Sequence, residues 1–373
     1  MGAVIEEMEK LNEKRYLYML SHVNGLGTIT IRRLGEYFGS YEAVWKCDSK
    51  SLGKSGILNA KKMEVFEDWR RKEEILRNDY DQMAKKGIKY ITYLEEQYPK
   101  RLLPYRDSPI GLFVKGELPP DQVPTAAIVG ARNCTEYGRQ AAEYLAYELA
   151  SHGVQILSGL ALGVDRAAHE GCLKAGGKTY SVMGCGVNVC YPRENYRLYS
   201  EVENSGGIIS EFVPGTVPAS MNFPMRNRII SGLSDVVIIV EAREKSGSLI
   251  TGDLALEQGK EVFALPGRIN DPLSAGCNRL IQMGAAICLG PKDILEFWGI
   301  ESGEVLKRNK KSEKSLAKRE KLVYSLIDSR PKSLEEIVTF CQIPVADVLE
   351  SLITLELSGY IQSCGNQNYC RKM

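Results

Sequence analysis

The chain has 373 residues, too many for one core at about 150 residues per domain; with 44% hydrophobic and 25% charged residues it has the composition of folded domains, not of a disordered polyelectrolyte. The 48 Lys and Arg against 47 Asp and Glu leave a formal charge of +1, which excludes a chain basic throughout while leaving local basic patches open. None of the ten cysteines has a partner at the spacing of a zinc knuckle or a dithiol redox site, so neither a metal nor a cofactor is expected.

At the amino terminus, MGAVIEEMEK carries acids where a secretory signal needs basic residues and an apolar run. A cytoplasmic protein with reduced cysteines and no membrane partner is expected. Residues 1–80 read as a small helical domain, with Leu17, Leu20, Ile31, Leu34, Tyr37 and Phe38 at helical spacing. Between two of its helical runs lies Val23-Asn24-Gly25-Leu26-Gly27, which resembles a helix-hairpin-helix (SAM-like) turn, and residues 53–57 read as a degenerate second copy. Such a turn is either a phosphate contact or a plain αα-hairpin.

Residues 81–300 begin with an approach segment and then alternate strand, turn and helix. Strands are expected at 126–130, 154–158, 178–183, 207–212, 236–240, 261–265 and 286–289, with helices at 136–152, 165–175, 196–204, 225–233, 249–258 and 277–283. Short apolar strands separated by helices predict an α/β, doubly wound, Rossmann-like domain with a parallel sheet covered on both faces. The longest apolar runs, such as 236–240, fall well short of the roughly 18 residues of a membrane span. Residues 301–317 read as a basic linker: the stretch 305–322 carries eight Lys and Arg against Glu313 and Glu320. Residues 318–373 read as three helices and a hairpin, the order of a winged helix. Its expected recognition helix, 344–357, holds Asp347, Glu350 and Glu356 with no Lys or Arg, which suits protein contact or modest duplex affinity better than base readout.

In an open α/β sheet, ligands bind beyond the carboxyl ends of the strands. The loops there contain Gly130, then Ser158, Gly159 and Gly163, then Gly184 and Gly186, read as phosphate loops. Arg132 adds a guanidinium fork to the first. The stretch Phe223-Pro224-Met225-Arg226-Asn227-Arg228 places two more beside an aromatic, and Ser246, Gly247 and Ser248 open a further helix. The spacing is not that of a dinucleotide fingerprint. No nucleophile and base arrangement emerges around His22, His152 or His169, which favours a binding protein over an enzyme.

At these residues the sequence resembles the DNA processing protein A (DprA, or Smf) family. The matching blocks are VGARNCTEYG at 129–138, SGLALGVDRAAH at 158–169, GCGVNVCYPRENYRLY at 184–199, FPMRNRIISGLSD at 223–235 and the run at 240–267 that contains SGSLIT. The resemblance implies a non-enzymatic, homodimeric protein that binds single-stranded DNA, protects it and loads the RecA recombinase onto it during natural transformation. By motif position it implies Arg132, Phe223, Arg226 and Arg228 as DNA contacts, with Ser246, Gly247 and Ser248 as donors. Leu280 and Ile281 are expected at the dimer interface. Position 188 is Asn where the family has Asp. The alternatives are a nucleotide-cleaving enzyme of the lysine-decarboxylase-like group, whose PGGxGTxxE loop is missing here, and a purely structural scaffold.

Overall fold

The computed structural model describes residues 2–300, 317–328, 331–365 and 367–371. Six helices open the chain: α1 (Gly2–Ser21), α2 (Thr28–Phe38), α3 (Tyr41–Lys46), α4 (Ser49–Lys54), α5 (Ala60–Arg70) and α6 (Glu73–Met83). Ser40, Asp48 and Asn59 accept backbone N–H bonds at the starts of α3, α4 and α5 at 3.0, 2.7 and 2.9 Å, which is why the breaks fall there. Leu20, Leu34, Trp45 and Phe66 are buried between these helices. The core runs on into the next unit: Tyr18 meets Tyr90 and Phe113 edge-on at centroid distances of 5.8 and 6.1 Å.

The central sheet has nine strands in the order β1-β2-β6-β5-β4-β3-β7-β8-β9. They are β1 (Lys89–Thr92), β2 (Gly111–Gly116), β3 (Thr125–Val129), β4 (Gln155–Ser158), β5 (Thr179–Val182), β6 (Gly207–Ser210), β7 (Val236–Ile239), β8 (Glu261–Ala264) and β9 (Ala286–Ile287). From β6 to β9 the sheet is parallel, as expected, but β1 and β2 add an antiparallel edge. The sheet is therefore mixed, and the approach segment belongs to it. Side chains alternate between two faces. Ile128, Ile156 and Ile238 pack under α7 (Glu136–Ser151) and α8 (Val164–Lys174), with α13 (Pro291–Phe297) on the same side. Leu157, Val237 and Ile239 pack under α10 (Asn222–Leu233), α11 (Gly247–Glu257) and α12 (Ala275–Gln282). α9 (Tyr196–Ser205) covers β5 and β6.

The winged helix consists of α14 (Lys318–Leu326), β10 (Lys332–Ser333), α15 (Leu334–Cys341), α16 (Val345–Leu357), β11 (Ile361–Ser363) and β12 (Asn368–Arg371) around Val323, Ile337, Val348 and Leu352. It touches α7, where Gln362 donates to Glu136 and Gln140 donates to the Cys370 sulfur at 3.5 Å. Most of the basic stretch expected as a linker lies outside the described residues; within the part that is described, Arg319 pairs with Asp347 at 3.1 Å. Among the described residues no single helix is long and apolar enough to cross a membrane.

Candidate nucleic-acid interface

The chain leaves β3 outward to β4, β5 and β6, then returns to lay β7 on the other side of β3. That reversal opens a crevice beyond the carboxyl ends of β3 and β7, where doubly wound folds hold ligands. A cleft of about 590 Å³ occupies it, lined by residues 129–133 at the end of β3, by Arg243, Ser246, Gly247 and Ser248 after β7, and by Tyr191, Phe223, Arg226 and Asn227. The structure thus brings Gly130, Arg132, Phe223, Arg226, Ser246, Gly247 and Ser248 into one groove.

Arg132 is exposed, and its guanidinium carbon stands 5.1 Å from the Phe223 ring centroid. Arg226 comes from below, only 4% exposed and 6.0 Å from the same centroid. Burial, then the neighbouring Arg132 charge, pushes its pKa down to about 10, while Asp165 pulls it back, so it stays a cation at neutral pH. Among the described residues its Nε finds no hydrogen-bond partner, an unspent donor at the groove floor. α10 is anchored by its own asparagines: Asn222 donates to the Gly184 carbonyl at 3.1 Å and Asn227 to the Gly247 carbonyl at 3.1 Å. α11 starts with no side-chain cap, its first turn facing the groove, and Ser246 and Ser248 share a hydroxyl contact of 2.7 Å.

Two of the expected anion seats are filled by the protein itself. At the start of α7, Glu241 accepts from the Thr135 N–H at 2.8 Å and its hydroxyl at 2.5 Å, and a Cβ on Gly138 would stand 2.4 Å from that carboxyl carbon. In the loop before α8, the buried Asp165 accepts the Gly159 and Ala161 N–H groups at 3.1 and 3.4 Å. Burial drives both carboxyl pKa values up; the Arg226 cation, the two N–H bonds and Arg132 oppose it at Asp165, and the Thr135 bonds oppose it at Glu241. Ser158 spends its hydroxyl on the Ile128 carbonyl at 2.6 Å. Leu160, between these donors, is held at φ 55 with Asn195 gripping its carbonyl at 2.9 Å.

The loop glycines are required by close packing. A Cβ on Gly159 would lie 1.6 Å from the Arg226 guanidinium, and one on Gly184 2.9 Å from the Phe223 ring. Gly163, at φ +77, leaves room for the Ala131 and Arg132 carbonyls. Gly130 approaches Val164, and Gly186 approaches the 213–216 backbone. Gly159 and Gly184 thus make room for the Arg226 and Phe223 side chains, and the other three allow close approach of Val164 and neighbouring backbone.

Arg228 is turned away from the groove. It grips Glu211 at 2.8 and 2.6 Å, lies 3.5 Å from Asp107, and lines a separate cavity between the helical unit and the sheet, together with the 24–31 turn. Leu280 is 4% exposed and packs in the core, so it has no surface for a second subunit; Ile281 is only partly exposed. The apolar surface nearby is Met283, Ile287 and Leu289. Two groove residues escaped the sequence reading, Arg243 and Tyr191. Arg243 is visible as the first arginine after β7, but nothing in its spacing marks it. Asn188 accepts the Gly215 N–H at 2.6 Å, so the acceptor that an Asp would offer is kept.

Arginines, an uncapped helix start and aromatic rings at the switch point of a doubly wound sheet make a groove suited to an anion, in an α/β protein with an appended winged helix. Comparison with known proteins gives the family. Residues 89–299 match the family model described as DNA recombination-mediator protein A, and residues 307–367 match the DprA winged helix domain. The chain is 40% identical over 264 residues to the DNA processing protein DprA of Bacillus subtilis, covering 68% of this chain and 87% of that one. The X-ray structure of DNA processing protein A from Streptococcus pneumoniae matches with TM-score 0.65 and 36% identity, covering 77% of this chain and 98% of that one. DNA processing protein A from Helicobacter pylori, studied for its single-stranded DNA binding mode, matches with TM-score 0.52 and 36% identity, covering 56% and 95%. The chain belongs to the DNA recombination-mediator protein A family, also called DprA or Smf.

Proposed function

We propose that the groove binds single-stranded DNA, and that the protein, as a homodimer, protects the bound strand and presents it to the RecA recombinase during natural transformation and recombination. The observation that carries this reading is the convergence of Arg132, Arg226 and Arg243 on one open groove beside Phe223 and the start of α11. Guanidinium groups and backbone N–H donors track phosphates without reading sequence. The relative from Helicobacter pylori is described by its single-stranded DNA binding, which supports the same ligand here.

Cleavage of a nucleotide would call for an acid or imidazole open to the bound phosphate. His169 is buried against the Thr179 hydroxyl at 2.7 Å, and Asp165 is committed to two N–H groups. Both favour a binding role. The test is affinity for a single-stranded oligonucleotide and for the duplex of the same sequence. The single strand is expected to bind more tightly, with little dependence on sequence; equal or tighter binding of the duplex contradicts the reading. RecA assembly on the coated strand, compared with the bare one, checks the presentation step.

A further inference from the structure

Two aromatic rings line the groove, and they are not equivalent. Phe223, the ring expected to contact DNA, is half-buried. Arg132 and Arg226 lie within 5.1 and 6.0 Å of its centroid, and Gly184 presses close enough that a Cβ would stand 2.9 Å from the ring. The ring is thus crowded by its own protein neighbours. Tyr191, from the loop after β5, is 38% exposed. Its ring lies 5.6 Å from the Phe223 centroid with the planes tilted by 37°. Phe223 thus packs beside the tyrosine, which keeps exposed surface at the groove.

The geometry points to Tyr191 as the base-stacking residue of the groove: one nucleobase of the bound strand stacks on its exposed surface, Phe223 packs beside the ring, and Arg132 holds a flanking phosphate. This rests on the reading of the groove as a single-strand site and names how that site grips the base. A π-face is common to all four bases, so the contact adds affinity without sequence choice. A paired, stacked base has no free face to offer, so the same contact disfavours duplex.

The test uses the full chain and its Tyr191→Ala and Tyr191→Phe variants. Each is titrated against a labelled oligothymidylate and against a strand of equal length made of abasic residues. Tyr191→Ala is expected to lose about 5- to 100-fold in affinity for the oligothymidylate. Tyr191→Phe keeps the wild-type value, and the three proteins bind the abasic strand alike. Because Tyr191 is exposed, unchanged thermal melting checks that the alanine variant is folded. Wild-type affinity in Tyr191→Ala, or an equal loss on the abasic strand, overturns the assignment. Failure of the wild-type chain to bind the oligothymidylate overturns the single-strand reading itself, and the stacking role with it.

Discussion

Arg226 and Arg228 are near neighbours on α10, yet the fold gives them different tasks. Arg226 reaches the groove floor, while Arg228 is committed to Glu211. Burial raises the Glu211 pKa and the Arg228 cation beside it pulls it down, so each charge depends on the other. Breaking such a pair by removing one partner costs about 3 kcal/mol or more. Arg228→Ala should lower stability by that order in denaturant unfolding and leave single-strand affinity unchanged. A large affinity loss in a fully stable variant contradicts this placement.

His169 supplies a pH signature. Burial first, and then the Arg226 charge, lower its pKa to about 3, and among the described residues its Nε2 has no partner. The unfolded chain takes up a proton below the ordinary value of 6.5, which the folded chain refuses until pH falls to about 3. The contribution of the neutral ring is therefore complete above that ordinary value and is lost progressively as pH falls. Between about pH 7.5 and about pH 5, the melting temperature of the native chain should drop more than that of His169→Gln. Parallel pH profiles for the two would contradict a buried neutral imidazole.

At the scale of elements, β3 and β7 were legible because Ala126–Val129 and Val236–Ile239 are short unbroken hydrophobic runs buried on both faces, while β4 and β5, which mix in Gln, Ser and Thr, were marked by their place between turns and helices. β1 and β2 were not legible, since each is short and mixes Lys or Gly into its pattern. The groove was legible as a set of loops, because strand ends and glycine clusters are local signals. What fills those loops was not. Glu241 caps α7 from 106 positions away in the chain, and no spacing rule links the two. The same holds for Glu211 and Arg228, which only the return of α10 over the sheet brings together. Leu280 shows the reverse error: a leucine on an amphipathic helix reads the same whether its stripe faces the core or a partner.

The far edge of the sheet is β9, a two-residue strand with one side unpaired, flanked by Leu289 at 79% exposure. An open edge beside Met283, Ile287 and Leu289 is a template for pairing with another copy. If the chain forms the homodimer proposed above, this edge, in place of Leu280, is where the second copy is predicted to pack. Leu289→Asp should shift the protein from dimer to monomer in light scattering at micromolar concentration. A variant that stays dimeric places the interface elsewhere.

Over the whole molecule, a formal charge of +1 conceals a strong division of labour. Arginines gather at one sheet edge, and α16 presents Asp347, Glu350 and Glu356. The helical unit shares its core with β1 and β2, so it and the sheet behave as one body. Net charge is an average over these surfaces and says little about any one of them. The most direct test of a phosphate-tracking groove is the salt dependence of single-strand affinity, for the native chain and for the double variant Arg132→Ala/Arg243→Ala. Both side chains are exposed, and among the described residues neither makes an ion pair, so their loss should spare the fold. Each phosphate contact contributes about 0.7 to the slope of log affinity against log salt for a single strand. The native slope should be steep, and that of the double variant shallower by about 1.4. Identical slopes for the two proteins would contradict a groove in which these arginines hold the DNA backbone.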